Sequence, residues 1–254
     1  MKKEKPKIIV ICGPTGSGKT TTLYSALSTI NSPDINIMTA EDPVEYNLQN
    51  INQVQINPDA DLTFANALRA FLRQDPDVIM VGEIRDQETA EIAIKAALTG
   101  HLVISTLHTN DAPTTISRLL DMGIEPFYIG ASVIMIVAQR LMRKVCLDCS
   151  QPITYDEGIL KQIGVPQQLI SNGKFFKGQG CSTCNNSGYK GRVAIYELME
   201  INDALKRSIM QGEDSTVIKD LALKNGMKTL RHSAILKMCA GLTTLDEVLS
   251  VTAG

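Results

Sequence analysis

Residues 7–20 read KIIVICGPTGSGKT, and this stretch decides the fold. Lys7 to Cys12 is an apolar, β-branched run of the kind that forms a buried strand. Gly13-Pro14-Thr15-Gly16-Ser17-Gly18-Lys19-Thr20 then matches G-x-x-x-x-G-K-[ST] at every fixed position. Glycines permit the backbone angles that turn several N–H groups inward on phosphate oxygens. Lys19 is spaced to reach the β- and γ-phosphates of ATP, and the Thr20 hydroxyl to ligate Mg²⁺, with Thr21 beside it. A helix expected from about Lys19 to Ile30 adds its positive dipole end. The alternative is a glycine-rich turn that fits by chance. The strand before the loop and the helix after it are what phosphate binding requires.

Working outward, strand-like and helix-like runs alternate. Ile35 to Thr39 reads as a second strand. Thr63 is placed to cap a helix running to about Gln74, whose Phe64, Leu68, Phe71 and Leu72 form an apolar stripe. Val78 to Val81 is a short strand. Asp86 is placed to cap a helix with Ala90, Ala93, Ile94, Ala97 and Leu98 on one face, and Gly100 to end it. Leu102 to Ser105 is the next strand, Pro113 to Met122 a helix, and Pro126 to Val145 is expected to be a long, mostly apolar helix. This alternation predicts an α/β fold with a parallel sheet covered on both faces. From Cys146 the pattern becomes irregular, with one strand at Arg192–Met199, and the last fifty residues read as three or four short helices. Thr244-Leu-Asp-Glu247 resembles a capping box. The expected division is 1–145, a nucleotide-binding core; 146–200, a cysteine-bearing subdomain; and 201–254, a helical subdomain.

The totals narrow the function. With 254 residues, 44% hydrophobic and 20% charged, the chain has the apolar content for a sizeable core. A net charge of −2, no Trp and 4% aromatics speak against a general nucleic-acid binder. No run reaches the roughly 18–20 apolar residues that span a bilayer. The basic opening MKKEKPK leads into IIVIC, too short for a signal-peptide core, so a cytoplasmic location is expected. Six cysteines in that setting favour metal over disulfides.

Further residues carry candidate chemistry. Glu83 follows the strand Val78–Val81, where a phosphate-loop protein needs a carboxylate to hold Mg²⁺ or its waters; Gly82 occupies the slot before it. Glu41-Asp-Pro-Val-Glu45 follows another strand, and one of its carboxylates can orient or deprotonate a water. A strand-end surface carboxylate and a solvated acidic loop are the alternatives. His101 opens the strand HLVIST and His108 follows it, spaced to report on the γ-phosphate or to serve structure alone. Arg69 and Arg73, at i and i+4, are candidates to complete a neighbouring subunit's site, or a solvated helix edge. Cys146, Cys149, Cys181 and Cys184 form two C-x-x-C pairs with 31 residues between them. Two such knuckles make a closed tetrahedral Zn²⁺ site of a structural kind; redox dithiols or buried thiols are the alternatives.

With these elements placed, the chain resembles the type II secretion and type IV pilus assembly ATPases. The most specific stretches are GPTGSGKTTTLY (13–24), EDPVEY (41–46), LRAFLRQDPDVIMVGEIRDQETAEIAIKAALTGH (68–101), STLHTN (105–110), AQRLMRKVC (138–146) and the cysteine pairs. The resemblance implies a RecA-like core and an ATP-driven homo-hexamer acting on an inner-membrane platform protein, peripheral to that membrane. It makes 41–46 an Asp box with Glu45 as the water-activating carboxylate, Glu83 the Walker B glutamate, and His101 and His108 a His box. The four cysteines resemble the assembly and secretion branch rather than pilus retraction. Pilus extension is the leading expectation and type II secretion its alternative; a nucleotide-binding module with little turnover and a DNA-dependent motor are readings of other classes. Family members carry further domains before the Walker strand, one of which contributes arginines, so the chain is expected to be a truncated motor domain.

Overall fold

The computed structural model describes residues 7–253. The basic opening, apart from Lys7, and Gly254 lie outside the described residues. The described residues form two compact units of interleaved segments: 7–138 with 198–227, and 139–197 with 228–253.

In the first unit β1 (Lys7–Cys12) leads through the glycine loop into α1 (Lys19–Ile30). There follow β2 (Ile37–Glu41), β3 (Asn52–Gln55), α2 (Phe64–Phe71), β4 (Val78–Val81), α3 (Gln87–Leu98) and β5 (Leu102–Leu107). Then come α4 (Ala112–Asp121), α5 (Pro126–Ser132) and the start of β6 (Val133–Val145). The strand order is β3-β2-β4-β5-β1-β6, and each of these pairs is parallel. Ile11, Ile37, Val78, Met80 and Ile104 of the sheet pack against Leu23, Tyr24 and Leu27 of α1. Burying such side chains contributes about 1.5–3 kcal/mol each and holds the phosphate-loop helix to the sheet.

The caps follow the sequence reading. Thr63 accepts from Asn66 N at 3.2 Å, and Asp86 accepts from Thr89 N at 2.8 Å. Gly100 adopts φ +112° just past the end of α3. The second strand lies two residues later than expected, because Asn36 is held outside it: its N–H donates to Asp77 Oδ2 at 2.7 Å. β3, with sequence NQVQ, escapes the sequence reading because it is polar and lies at the sheet's edge.

One expectation is overturned. Pro126–Val145 is not one helix: seven residues form α5, and the next thirteen form β6. The run VIMIV at 133–137 is mostly β-branched, and pairing beside β1 (Ile9↔Met135, Ile11↔Val137) buries it in the sheet.

β6 passes into the second unit at Gln139, and β9 (Tyr189–Glu200) returns to the first at Leu198. Between them lie β7 (Ser150–Pro152), α6 (Glu157–Gln162), α7 (Gln167–Asn172) and β8 (Phe176–Gly178), with β7 and β8 antiparallel. α8 (Asp203–Met210) and α9 (Ser215–Lys224) belong to the first unit, α10 (Leu230–Cys239) and α11 (Leu245–Thr252) to the second. These four are the short helices expected near the end. In the second unit Arg143 donates to Glu247 through its main chain at 2.8 Å and its guanidinium at 2.8 and 3.0 Å. Its guanidinium also lies 4.2 Å from the centre of the Tyr189 ring. No helix of the described residues is long and apolar enough to cross a membrane.

Candidate nucleotide site and cysteine centre

Because β1, β5, β4 and β2 are parallel neighbours, their carboxyl ends open on one edge of the sheet. Cys12 pairs with Leu107, Val81 with Ser105 and Ala40 with Val81. The next residues along each strand therefore converge. They are the phosphate loop after β1, His108 after β5, Glu83 after β4 and the acidic segment after β2.

The loop is anchored by Gly13 N–H donating to Leu107 O at 3.2 Å. Gly16 (φ +77°) and Gly18 (φ +88°) take left-handed angles that a side chain would oppose. Gly18 caps α1 with no side-chain bond. The Lys19 ammonium folds back over the loop and donates to Gly13 O at 2.8 Å and Pro14 O at 3.1 Å. Pro14, Thr15, Gly16, Thr20 and Thr21 are exposed, whereas Ser17 is buried.

Glu83 is mostly buried, with its side chain 17% exposed. It pairs with the Arg85 guanidinium and lies 3.4 Å from His108 Nε2. Arg85 also approaches Asp42 Oδ2 at 3.5 Å, and its pairing with Glu83 raises the guanidinium pKa further. Gly82 has a steric reason to lack a side chain: a Cβ there would lie 3.2 Å from Ala40 O.

The two glutamates of the acidic segment differ. Glu45 is exposed. Glu41 is 4% exposed and enclosed by donors: the Tyr24 hydroxyl, Thr39 Oγ1 at 2.5 Å and Gln53 Nε2 at 3.0 Å. The Tyr24 hydroxyl also accepts from Glu45 N–H at 3.2 Å. Burial, then the bond to Glu41, pushes the Tyr24 phenol up to about 12, so it stays protonated.

Three expected site residues have their polar partners outside this cluster. His101 precedes β5, about 20 Å along the strand from His108, and its Nδ1 lies 2.7 Å from Ala96 O at the end of α3. Arg69 pairs with Glu88 at 2.5 Å, and Arg73 donates to Arg69 O at 2.9 Å. Conversely, Tyr24 and Arg85 escaped the sequence reading. A polar residue on the buried face of α1 was the available signal for the first, and a lone cation two residues after Glu83 for the second.

In the second unit the four cysteine sulfurs all lie within 4.8 Å of one another, and none forms a disulfide. Cys146–Cys181, Cys149–Cys184 and Cys181–Cys184 are 3.9, 3.8 and 3.7 Å apart. Four sulfurs at about 2.3 Å from a tetrahedral zinc are about 3.8 Å from one another, so the donor set fits that ion. Burial alone would raise the Cys184 thiol pKa. The N–H groups of Cys181 and Gly188, aided by the Cys181 and Cys149 thiols, outweigh burial and bring it down to about 6.

The profile of the family described as "Type II/IV secretion system protein" matches residues 2–250. The "Type IV pilus assembly ATPase PilB" of Myxococcus xanthus is 57% identical over 247 residues, covering 97% of this chain and 44% of that protein. The "Type II secretion system protein E" of Pectobacterium carotovorum is 51% identical over 246 residues, covering 96% of this chain and 48% of that protein. The chain thus spans less than half the length of these curated relatives. Among solved structures, the pilus retraction motor PilT with bound ADP superposes with a TM-score of 0.73 at 32% identity, over 99% of this chain and 62% of that one. The Legionella pneumophila ATPase DotB, 24% identical, gives 0.71 over 100% of this chain and 61% of its own, a likeness of fold. The shared architecture is that of the RecA-like phosphate-loop core.

Proposed function

The chain belongs to the Type II/IV secretion system protein family, and from that premise we propose that it is the motor portion of an ATPase driving type IV pilus assembly. The observation that carries this reading is the meeting of the phosphate loop, Glu83 and His108 at the ends of adjacent parallel strands. When bound, MgATP supplies the phosphoryl group whose transfer to water is the reaction. Main-chain N–H groups of the loop between Thr15 and Thr20, with the Lys19 ammonium, bind and orient the phosphates. Thr20 and Glu83 hold the metal and its waters, and His108, against Glu83, senses the γ-phosphate. Glu45, exposed and beside the loop helix, takes the proton of the attacking water. Glu41, enclosed by donors, serves as an anchor.

By role, we assign nucleotide work to 1–145, a structural zinc held by the four cysteines to 146–200, and helices to 201–254. His101, Arg69 and Arg73 have their polar partners outside the chain's own phosphate loop, and we assign them a role across a subunit boundary in a homo-hexamer. That hexamer acts at the cytoplasmic face of the inner membrane on a platform protein. Relatives named for pilus assembly and for type II secretion match almost equally well, so service to a type II secretion system is the second reading. The support for pilus assembly is the 57% identity to a pilus assembly ATPase.

The test is ATP turnover with and without Lys19→Ala. Turnover that depends on Lys19 supports the motor. Binding without Lys19-dependent turnover leaves a nucleotide-binding module, and stimulation by DNA points to a nucleic-acid motor.

A further inference from the structure

We propose that Tyr24 is a positioning residue that ties the phosphate-binding helix to Glu45. The proposal rests on the reading of Glu45 as the group that activates water.

Tyr24 lies on α1, little more than one turn beyond Lys19 and Thr20. Its side chain is buried at 1% exposure in the core between α1 and the sheet, so its hydroxyl cannot wander. That hydroxyl has one proton, and it goes to Glu41. Its lone pairs face two donors, the Glu45 N–H at 3.2 Å and Gln53 Nε2 at 3.4 Å. A phenol that donates to a carboxylate is polarised and becomes a better acceptor. The Glu41 carboxylate is itself fixed by Thr39 and Gln53. The ring of Tyr24 meets the ring of Tyr46 edge-on, with centroids 4.7 Å apart, which clamps the residue after Glu45 as well.

Glu45 thus has a free carboxylate on a fixed backbone. Its side chain is exposed while its amide and its neighbour are held by one residue of the phosphate-loop helix. This explains why two glutamates four residues apart differ. Glu41 is consumed in holding Tyr24, and Tyr24 holds the segment that presents Glu45. A base misplaced by a fraction of an ångström loses rate while nucleotide binding persists, because binding uses other atoms of the loop.

The experiment compares Tyr24→Phe, Glu45→Gln and the double variant with the unaltered chain. Amide hydrogen exchange at Glu45, ADP affinity by calorimetry, and ATP turnover are read for each. Tyr24→Phe keeps the ring and removes only the hydroxyl. The expected result is about tenfold faster exchange at the Glu45 amide, ADP affinity within about twofold, and kcat lowered about tenfold. The double variant is expected to turn over no more slowly than Glu45→Gln alone. Unchanged exchange at Glu45 in Tyr24→Phe overturns the proposal, as does a loss of ADP affinity that matches the loss of rate. Wild-type turnover in Glu45→Gln overturns the water-activating reading of Glu45, and exchange at its amide then judges the tether by itself.

Discussion

Lys219 Nζ lies 3.0 Å from Asp111 Oδ2, joining α9 to the residue that caps α4. Asp111 also accepts from Thr114 N–H at 3.0 Å and closes a capping box with Thr114. It sits three residues after His108, so one carboxylate secures the end of the segment that carries His108, the start of a helix and a late helix of the same unit.

Asp111→Ala is therefore expected to cost about 1–2 kcal/mol of stability at neutral pH. Burial alone would raise the Asp111 pKa. The hydrogen bonds from Thr114 and Lys219 outweigh burial and hold the carboxyl below the usual range. A depressed folded-state pKa contributes stability that is complete above the unfolded value, about 3.9, and is lost as pH falls through the lower folded value. Urea midpoints of the two proteins should therefore differ at pH 7 and converge in acid. A gap that widens as pH falls would contradict this sign.

Glu45→Gln should retain nucleotide affinity and slow hydrolysis by about 10²-fold or more. Steady-state turnover alongside ADP calorimetry checks it. Near-wild-type turnover would remove Glu45 from the role of base.

The two histidines should separate. His108→Ala deprives Glu83 of a neighbour 3.4 Å away and is expected to lower turnover about tenfold. His101→Ala removes the contact with Ala96 O at the end of α3, costing about 0.5–1.5 kcal/mol of stability. It should leave ADP affinity of the chain unchanged. Equal losses of affinity in both variants would contradict the separation.

The cysteine centre is expected to hold about one zinc per chain. Native mass spectrometry should show the metal, and Cys184→Ser should shed it with loss of order around 146–188. A folded, metal-free chain would refute the assignment.

Much of this was readable along the chain. The phosphate loop, the caps at Thr63 and Asp86 and the glycine stop at Gly100 are local in sequence. Their physics is complete within a few residues. Segment 133–145 was not readable, because Gln139, Arg140, Leu141, Met142, Arg143 and Lys144 are good helix formers that follow a helical turn. Pairing beside β1, more than a hundred residues away, decides its conformation. The capping box at Thr244 is half made: Thr244 accepts from Glu247 N at 3.3 Å, but the Glu247 carboxylate is held by Arg143. Tyr24 and Arg85 owe their places in the site to contacts across the sheet edge with Glu41, Glu83 and Asp42. No periodicity or spacing encodes those.

The most direct test is calorimetric titration of the folded chain with ATP or ADP in the presence of magnesium. Saturable heat that disappears in Lys19→Ala is the predicted result. No heat at millimolar nucleotide from well-folded protein would contradict the account, since nothing would then be bound by the amides between Thr15 and Thr20.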